Sequence, residues 1–531
     1  MANKKKTVIL LVNPANTTKG ALMDYETSIY PNLGLLTLGS ALENNLNREG
    51  LDAEVFYLDG ALYGNDKIYE QITQLYHNIV ILGLSCYTYN YASCLEIAKY
   101  AKQLNPNTII VIGNDHFSAI SSLIMSKRSD IINYGFYGND IVNGFTNFVT
   151  DTLLGKVNLS TYAGLVYREH SGTIKFNPED PTEFEHIPLV NYGLQDSLLP
   201  HDELYHRAQK SFYSYIQNDS FKVTVVDIAR GCLKFGGKRN DANIPLNACD
   251  FCGIIPGSRA IAFQSTQRAW EIIKNAYEQG YNYLFLTADE FPSTFWSLAK
   301  DMVQMMPEWY IKTPVRLRPK IMCYARADSF RDNLIPRIDL LMGQLGFDHF
   351  FVGLDGFTTH SLKAMRKGLN SINNDSAELI DYNFKAIHEI AQRKGKITAG
   401  AVITHIGITR ELLEQNFTVL KEFIEKYSLY FIELDFELLC PIPGSHAFSY
   451  LTVPGVAQKR AQELSIEVNN QYLMKMYDKY KEEDLFDPEE LVNDFILSCC
   501  PDITIELARE YLNRIRDLVD KYHIPYECSS L

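Results

Sequence analysis

Three cysteines stand in one polar, glycine-studded stretch, "RGCLKFGGKRNDANIPLNACDFCGIIPGSR", at Cys232, Cys249 and Cys252. Thiolates are soft metal ligands, so three on one loop point to zinc or to an iron–sulfur cluster. Cys249 and Cys252 are three residues apart, and both sulfurs reach one centre; Cys232 must return across the sixteen intervening residues 233–248. Loop-closure entropy grows only logarithmically with length, so an insertion of that size is tolerated. A structural zinc needs a fourth ligand, usually from a second Cys-x-x-Cys or a His pair, and none lies nearby in sequence. Three thiolates on a four-iron cluster would leave one iron open to a small ligand. On these residues alone zinc, iron and unligated thiols all stay open.

The chain that must position them has 531 residues, an apolar fraction of 46% and a formal charge of -14. That length exceeds one compact core and implies two or more domains. The acidic balance argues against a nucleic-acid surface and for a small-molecule or peptide substrate. The apolar run in "MANKKKTVILLVNPAN" is too short for a signal sequence, and no stretch approaches the ~18 apolar residues of a membrane span. A cytoplasmic location is expected, where ten cysteines stay reduced and some of them serve metal or redox chemistry.

From residue 7 short β-rich runs alternate with amphipathic helical stretches: "TVILLVNP", "LGLLTLGSALENNL", "AEVFYLD", "IYEQITQLYH", "NIVILGLSCYT", "ASCLEIAKYAKQL", "NTIIVIG". Near-continuous apolar strands between such helices predict a doubly wound parallel sheet over 1–150. Its ligand belongs beyond the strand carboxyl ends, at Asn13, Asp59, Ser85–Thr88 and Gly113–Phe117. Residues 151–215 have few periodic segments and read as a connector. A second series over 216–455 has six strand runs: 221–230, 282–290, 319–326, 348–356, 396–405 and 429–440. Six βα units predict a partial parallel barrel of TIM type, with chemistry on the loops after its strands. The cysteine loop follows the first of them. Residues 456–531 read as helices with charged faces.

Here the chain resembles the radical S-adenosylmethionine enzymes, in which three cysteines follow the first barrel strand. The resemblance implies a [4Fe-4S] cluster on Cys232, Cys249 and Cys252, with S-adenosylmethionine on its open iron. Phe251 in "CDFC" matches the aromatic residue that packs near the adenine. The first spacing departs from the family's usual three residues. Later segments agree in order: "YLFLTADEFPSTFW" places Ala288, Asp289 and Glu290 beside the methionine ammonium, where a carboxylate pairs well. "CYARADSF" brings Arg326, a fork for a substrate or cofactor carboxylate or one half of a structural salt bridge. "FFVGLDGFTTHSLKAMRKGLN" resembles the fourth strand and its helix, with Asp355-Gly356 where the family more often has Glu-Ser, and "LLCPIPGSHAF" closes the sixth. Cys440 there, and Cys499, Cys500 and Cys528 further on, read as inert thiols.

"YPNLGLLTLGSALE" and "ILGLSCYTYNYASCLEIAKYAKQLNPNTIIVIGNDHFSA" resemble the cobalamin (B12)-binding domain that precedes the barrel in one subclass of these enzymes. Ser85, Cys86, Tyr87 and Thr88 match its small-polar loop, and Gly113 and Asn114 its usual Gly-Gly near the nucleotide tail, where small residues admit a bulky ligand. There is no Asp-x-His-x-x-Gly, and His116 does not fit that motif, so the corrin would bind without a protein histidine on cobalt.

The resemblance implies reductive cleavage of S-adenosylmethionine to a 5′-deoxyadenosyl radical, an electron donor such as flavodoxin or ferredoxin, and, in many relatives, methyl transfer from methylcobalamin to an unactivated carbon. Ring-forming and rearranging enzymes share the subclass. A cobalamin carrier or sensor with a zinc loop is the alternative from a different class.

Overall fold

A computed structural model describes residues 6–16, 29–180, 183–213, 221–240, 244–254, 261–367, 377–524 and 526–527. The chain divides into two compact units, Met1–Val225 with Ile254–Ser258 and Lys274–Tyr281, and Val226–Gly253 with Arg259–Ile273 and Asn282–Leu531.

The first unit is built on strands β1 (Thr7–Asn13), β2 (Ala53–Asp59), β3 (Ile79–Ser85), β4 (Ile109–Gly113), β5 (Tyr134–Phe136), β6 (Leu165–Arg168) and β7 (Ile174–Phe176). They form one sheet in the order β2-β1-β3-β4-β5-β6-β7, parallel through β5 and antiparallel at β6 and β7. β1 is buried along both faces except at Thr7, as its unbroken apolar run requires. The helix Leu33–Glu49 starts where the Asn32 side chain accepts the Leu35 N–H at 3.1 Å. It stops at Gly50 in the left-handed region, φ 64°. Val8, Leu10, Leu82, Ile97, Ile110 and Phe117 meet in the core beneath the sheet. Strand order turns back at β1, which creates a crevice between the carboxyl ends of β1 and β3. Strands β6 and β7 come from the stretch that reads as a connector.

The second unit carries β9 (Ala229–Gly231), which follows β8 (Val223–Val226), and then β10 (Ile261–Phe263), β11 (Tyr283–Leu286), β12 (Lys320–Arg326), β13 (Phe347–Gly353), β14 (Lys396–Val402), β15 (Phe431–Glu437) and β16 (Tyr526–Glu527). The main sheet runs β16-β15-β14-β13-β12-β11-β8, with parallel pairing from β11 to β16. The six expected strands thus occur in consecutive order. The seventh, β16, comes from the region that reads as purely helical: Tyr526 and Glu527 pair with Leu434 and Asp435. Helices Val456–Leu464, Asn470–Tyr480, Pro488–Cys499 and Ile505–Lys521 fill the rest of that region. β9 and β10 pair antiparallel, Gly231 opposite Ile261, and so close the base of the cysteine loop. Among the described residues no helix is long and apolar enough to cross a membrane.

Candidate functional site

In the second unit, Cys232 and Cys249 are buried and Cys252 is half-buried. Cys249 and Cys252 form a hydrogen-bonded pair of sulfurs, which favours thiolate on Cys249 and holds the proton on Cys252. Lys367, Lys234 and Arg326 add positive charge that favours the Cys249 thiolate against the cost of burial. Burial pushes the Cys232 thiol up to about 11, opposed by the Lys234 backbone N–H and by Arg326. Cys232 and Cys249 lie within each other's field, but among the described residues no three Cys, His, Asp or Glu side chains converge in metal-ligating geometry. The donor set nonetheless suits an iron–sulfur cluster: three sulfurs on one loop, inside a ring of cations that offsets the charge of several thiolates. Of the other thiols, Cys440, Cys499 and Cys500 are buried, and the Cys500 S–H donates to the His405 carbonyl at 3.2 Å. Cys528, and residues 241–243 of the insertion, lie outside the described residues.

The cations themselves are pinned. Lys367 is buried, forms an ion pair with Asp355 and stands 5.9 Å over the Phe251 ring. The Lys234 ammonium donates to the Arg366 carbonyl at 2.8 Å. Arg326 closes one edge of its fork on Asp328, Nε to Oδ1 at 2.9 Å and Nη2 to Oδ2 at 3.0 Å, which fixes the guanidinium while its charge reaches the thiols. Sequence reasoning named Phe251 and Arg326 but not Lys234 or Lys367, because a lysine in "CLKF" or "MRKG" carries no local sign of burial.

After β11, Ala288 is buried and Asp289 is exposed. Neighbouring protein atoms still raise the Asp289 carboxyl by desolvation, and the Gly231 N–H donates to it. Glu290 has no such freedom. Its buried carboxylate accepts from the Ser293 N–H at 2.9 Å, the Thr294 N–H at 2.7 Å, the Thr294 hydroxyl at 2.5 Å and the Ser329 hydroxyl at 2.8 Å. Of the two acids Asp289 is the one available to an ammonium group.

In the first unit, the carboxyl ends of β1 to β4 converge as expected. Ser85 Oγ accepts from Asn114 Nδ2 and from Asn32 Nδ2, each at 3.0 Å. Tyr87 hydrogen-bonds Asn114 and Ser85, and burial pushes its phenol up to about 12. Thr88 Oγ1 lies 3.1 Å from His116 Nδ1, which ties the imidazole to the loop after β3. The Cys86 N–H donates to the Gly113 carbonyl at 2.9 Å, and a Cβ on Gly113 would stand 3.3 Å from the Phe136 carbonyl. Asn114 holds φ 85° and caps the next helix by accepting the Asp115 N–H at 2.8 Å. That positive-φ backbone is one that glycine adopts without strain and that few other residues do. Below this floor Asp59 is wholly buried. Its Oδ1 accepts from Asn13 Nδ2 and the Ala61 N–H, each at 2.9 Å, and its Oδ2 from the Tyr57 hydroxyl at 3.2 Å and from Tyr205. Tyr205 and Asn32 had no signal in the sequence. The Asn16 amide nitrogen is buried with no partner among the described residues, an orphaned donor next to the crevice.

Residues 22–140 match the B12 binding domain family. Among solved structures, the chain is similar to the cobalamin-dependent S-adenosylmethionine radical enzyme OxsB with aqua-cobalamin bound: 16% identity, 88% of this chain and 63% of that one, TM-score 0.60. With aqua-cobalamin and S-adenosylmethionine bound, OxsB aligns over 98% of this chain and 72% of that one at 15% identity, TM-score 0.62. The radical S-adenosylmethionine methyltransferase TsrM from Kitasatospora setae, with cobalamin and a [4Fe-4S] cluster bound, aligns at 17% identity over 85% and 76%, TM-score 0.58. No curated protein matches the chain. The chain therefore has the fold of the cobalamin-dependent radical S-adenosylmethionine enzymes. The stretch that matches the B12 binding domain family lies in the parallel sheet of the first unit, and the chain spans less than two thirds of the first structure's length.

Proposed function

We propose that the protein is a cobalamin-dependent radical S-adenosylmethionine enzyme that methylates an unactivated carbon of a small molecule or peptide. The observation that carries this reading is the paired Cys249 and Cys252 inside the ring of Lys234, Arg326 and Lys367, on the loop after the first barrel strand. When bound, a [4Fe-4S] cluster and cobalamin would supply the electron that cleaves S-adenosylmethionine and the carrier for the methyl group.

The chain's own residues do the rest. Cys232, Cys249 and Cys252 would hold the cluster, and the cations favour the thiolate forms it needs. Phe251, half-buried beside Lys367, offers a face to the adenine. Asp289, with the backbone at Ala288, would accept the methionine ammonium, while Glu290 holds the turn that presents them. Arg326 acts through its charge, held in place by its ion pair with Asp328. Ser85, Tyr87, Thr88, Gly113 and Asn114 would line the corrin site, with no histidine on cobalt. Residues 1–150 carry that site and 216–455 the radical chemistry, linked by 151–215 and followed by 456–531. The reduced thiols suit the cytoplasm and an acidic one-electron donor such as flavodoxin or ferredoxin.

Anaerobic purification tests this directly. The expected product is brown, with iron, sulfide and corrin. Zinc in place of iron would turn the reading into that of a carrier with a structural metal loop, and absence of corrin would remove cobalamin from it.

A further inference from the structure

The insertion 233–248 separates Cys232 from the other two cysteines, so the loop does not by itself bring Cys232 to the Cys249–Cys252 pair as a three-residue spacing would. Something else must fix the Cys249–Cys252 turn. One of the two residues between them, Asp250, is buried, and each of its polar groups faces a distant element. Its N–H donates to the Met365 carbonyl at 3.0 Å, and its carbonyl accepts the Ala447 N–H at 2.9 Å. Its Oδ2 accepts the Tyr450 hydroxyl at 2.6 Å, and its Oδ1 pairs with Arg366 Nε at 2.7 Å. Arg366 takes a left-handed backbone, φ 54°, directly before the buried Lys367. The same helix, His446–Thr452, also grips the insertion: His446 Nε2 bonds the Pro245 carbonyl at 2.9 Å, and Nδ1 lies 3.3 Å from Asn240 Nδ2. Arg460 holds the Lys363 and Ala364 carbonyls at 2.8 and 3.0 Å, fixing the turn that carries Arg366.

We infer that Asp250, Tyr450 and Arg366 are positioning residues for the cluster: they rivet the Cys249–Cys252 turn to the helix His446–Thr452 and to residues 365–366, replacing the preorganisation that the insertion removes. The inference rests on the cluster reading above. A buried carboxylate held between a hydroxyl and a guanidinium favours one geometry, because displacement leaves a buried charge uncompensated. Asp250 is also a fixed negative charge beside two cluster ligands, so it opposes the further negative charge of the reduced state.

The test uses the reconstituted full chain and the variants Tyr450→Phe and Asp250→Asn, with thermal unfolding as a control for folding. Tyr450→Phe removes one hydroxyl and keeps its packing, and cluster loss to a chelator should accelerate about tenfold in a protein that still unfolds cooperatively, at a modestly lower melting midpoint. Asp250→Asn should also accelerate loss, and should shift the cluster midpoint potential upward because a negative charge is gone. Chelator resistance and potential equal to wild type in a folded, cluster-bearing Asp250→Asn variant would overturn the inference. If wild type itself takes up no iron–sulfur cluster, it is the cluster reading that fails, and the variants then differ from wild type in nothing spectroscopic.

Discussion

Asp59 offers a prediction whose sign and size follow from the structure. Its carboxyl is wholly buried, and desolvation raises it from 3.8 to about 6 despite hydrogen bonds from Tyr205, Asn13, Ala61 and Tyr57 that pull the other way. A folded value above the unfolded one means that between those pH values the native state binds more protons, so stability falls as pH rises and is flat above. The full span is about 3 kcal/mol at 1.36 kcal/mol per tenfold change, present below about pH 4 and lost by about pH 7. Asp59→Asn is nearly isosteric and cannot ionise, and the Tyr57 and Tyr205 hydroxyls can turn to accept its amide protons. Native-state hydrogen exchange of the β1 and β2 amides, corrected for intrinsic rates, reads this locally in the full chain. The wild-type to variant protection ratio should fall about a hundredfold from pH 4 to pH 7. Other titrating groups cancel in that ratio. A ratio that is constant across the range, or rises with pH, would refute a buried, reluctantly charged Asp59.

Lys367→Met should strand Asp355 without its partner and destabilise the second unit by about 3–5 kcal/mol, read by calorimetry, with Asp355→Asn in the same chain recovering part of the loss. Glu290→Gln trades a carboxylate that accepts four donors for a single carbonyl, and should lower the melting midpoint while leaving the corrin spectrum unchanged. Gly60→Ala places a methyl 2.6 Å from the Ala15 N–H and 3.1 Å from the Asn13 carbonyl, at the ends of β1 and β2. A cost of about 1–3 kcal/mol and weaker corrin retention in gel filtration are expected.

Much of the fold was legible because parallel strands covered on both faces must be apolar throughout. The runs at "TVILLVNP" and "KITAGAVITH" announce β1 and β14 for that reason. Strands β6, β7 and β16 were not, since Ile174–Phe176 and Tyr526–Glu527 are two or three residues long and owe their conformation to the neighbour they pair with. The thiols of the candidate site were visible from spacing alone. Its cations and rivets were not: Lys234, Asp250, Arg366 and Lys367 look like ordinary polar residues until Tyr450 arrives from 200 residues beyond Asp250, and Asp355 from the far side of the short helix Thr359–Ala364. A matched motif therefore picked out the candidate residues, while long-range burial decided which of them are held and which are exposed, as the contrast between Asp289 and Glu290 illustrates.

The most direct test of the central claim is mass spectrometry of the reduced, anaerobically reconstituted full chain with S-adenosylmethionine, alongside Cys232→Ala, Cys249→Ala and Cys252→Ala. Release of 5′-deoxyadenosine by the wild type, abolished together with the cluster in all three variants, is the predicted result, and S-adenosylhomocysteine beside it would mark methyl transfer. Wild-type protein that carries a full cluster yet leaves S-adenosylmethionine intact, or a Cys232→Ala variant with a normal cluster, would contradict the account.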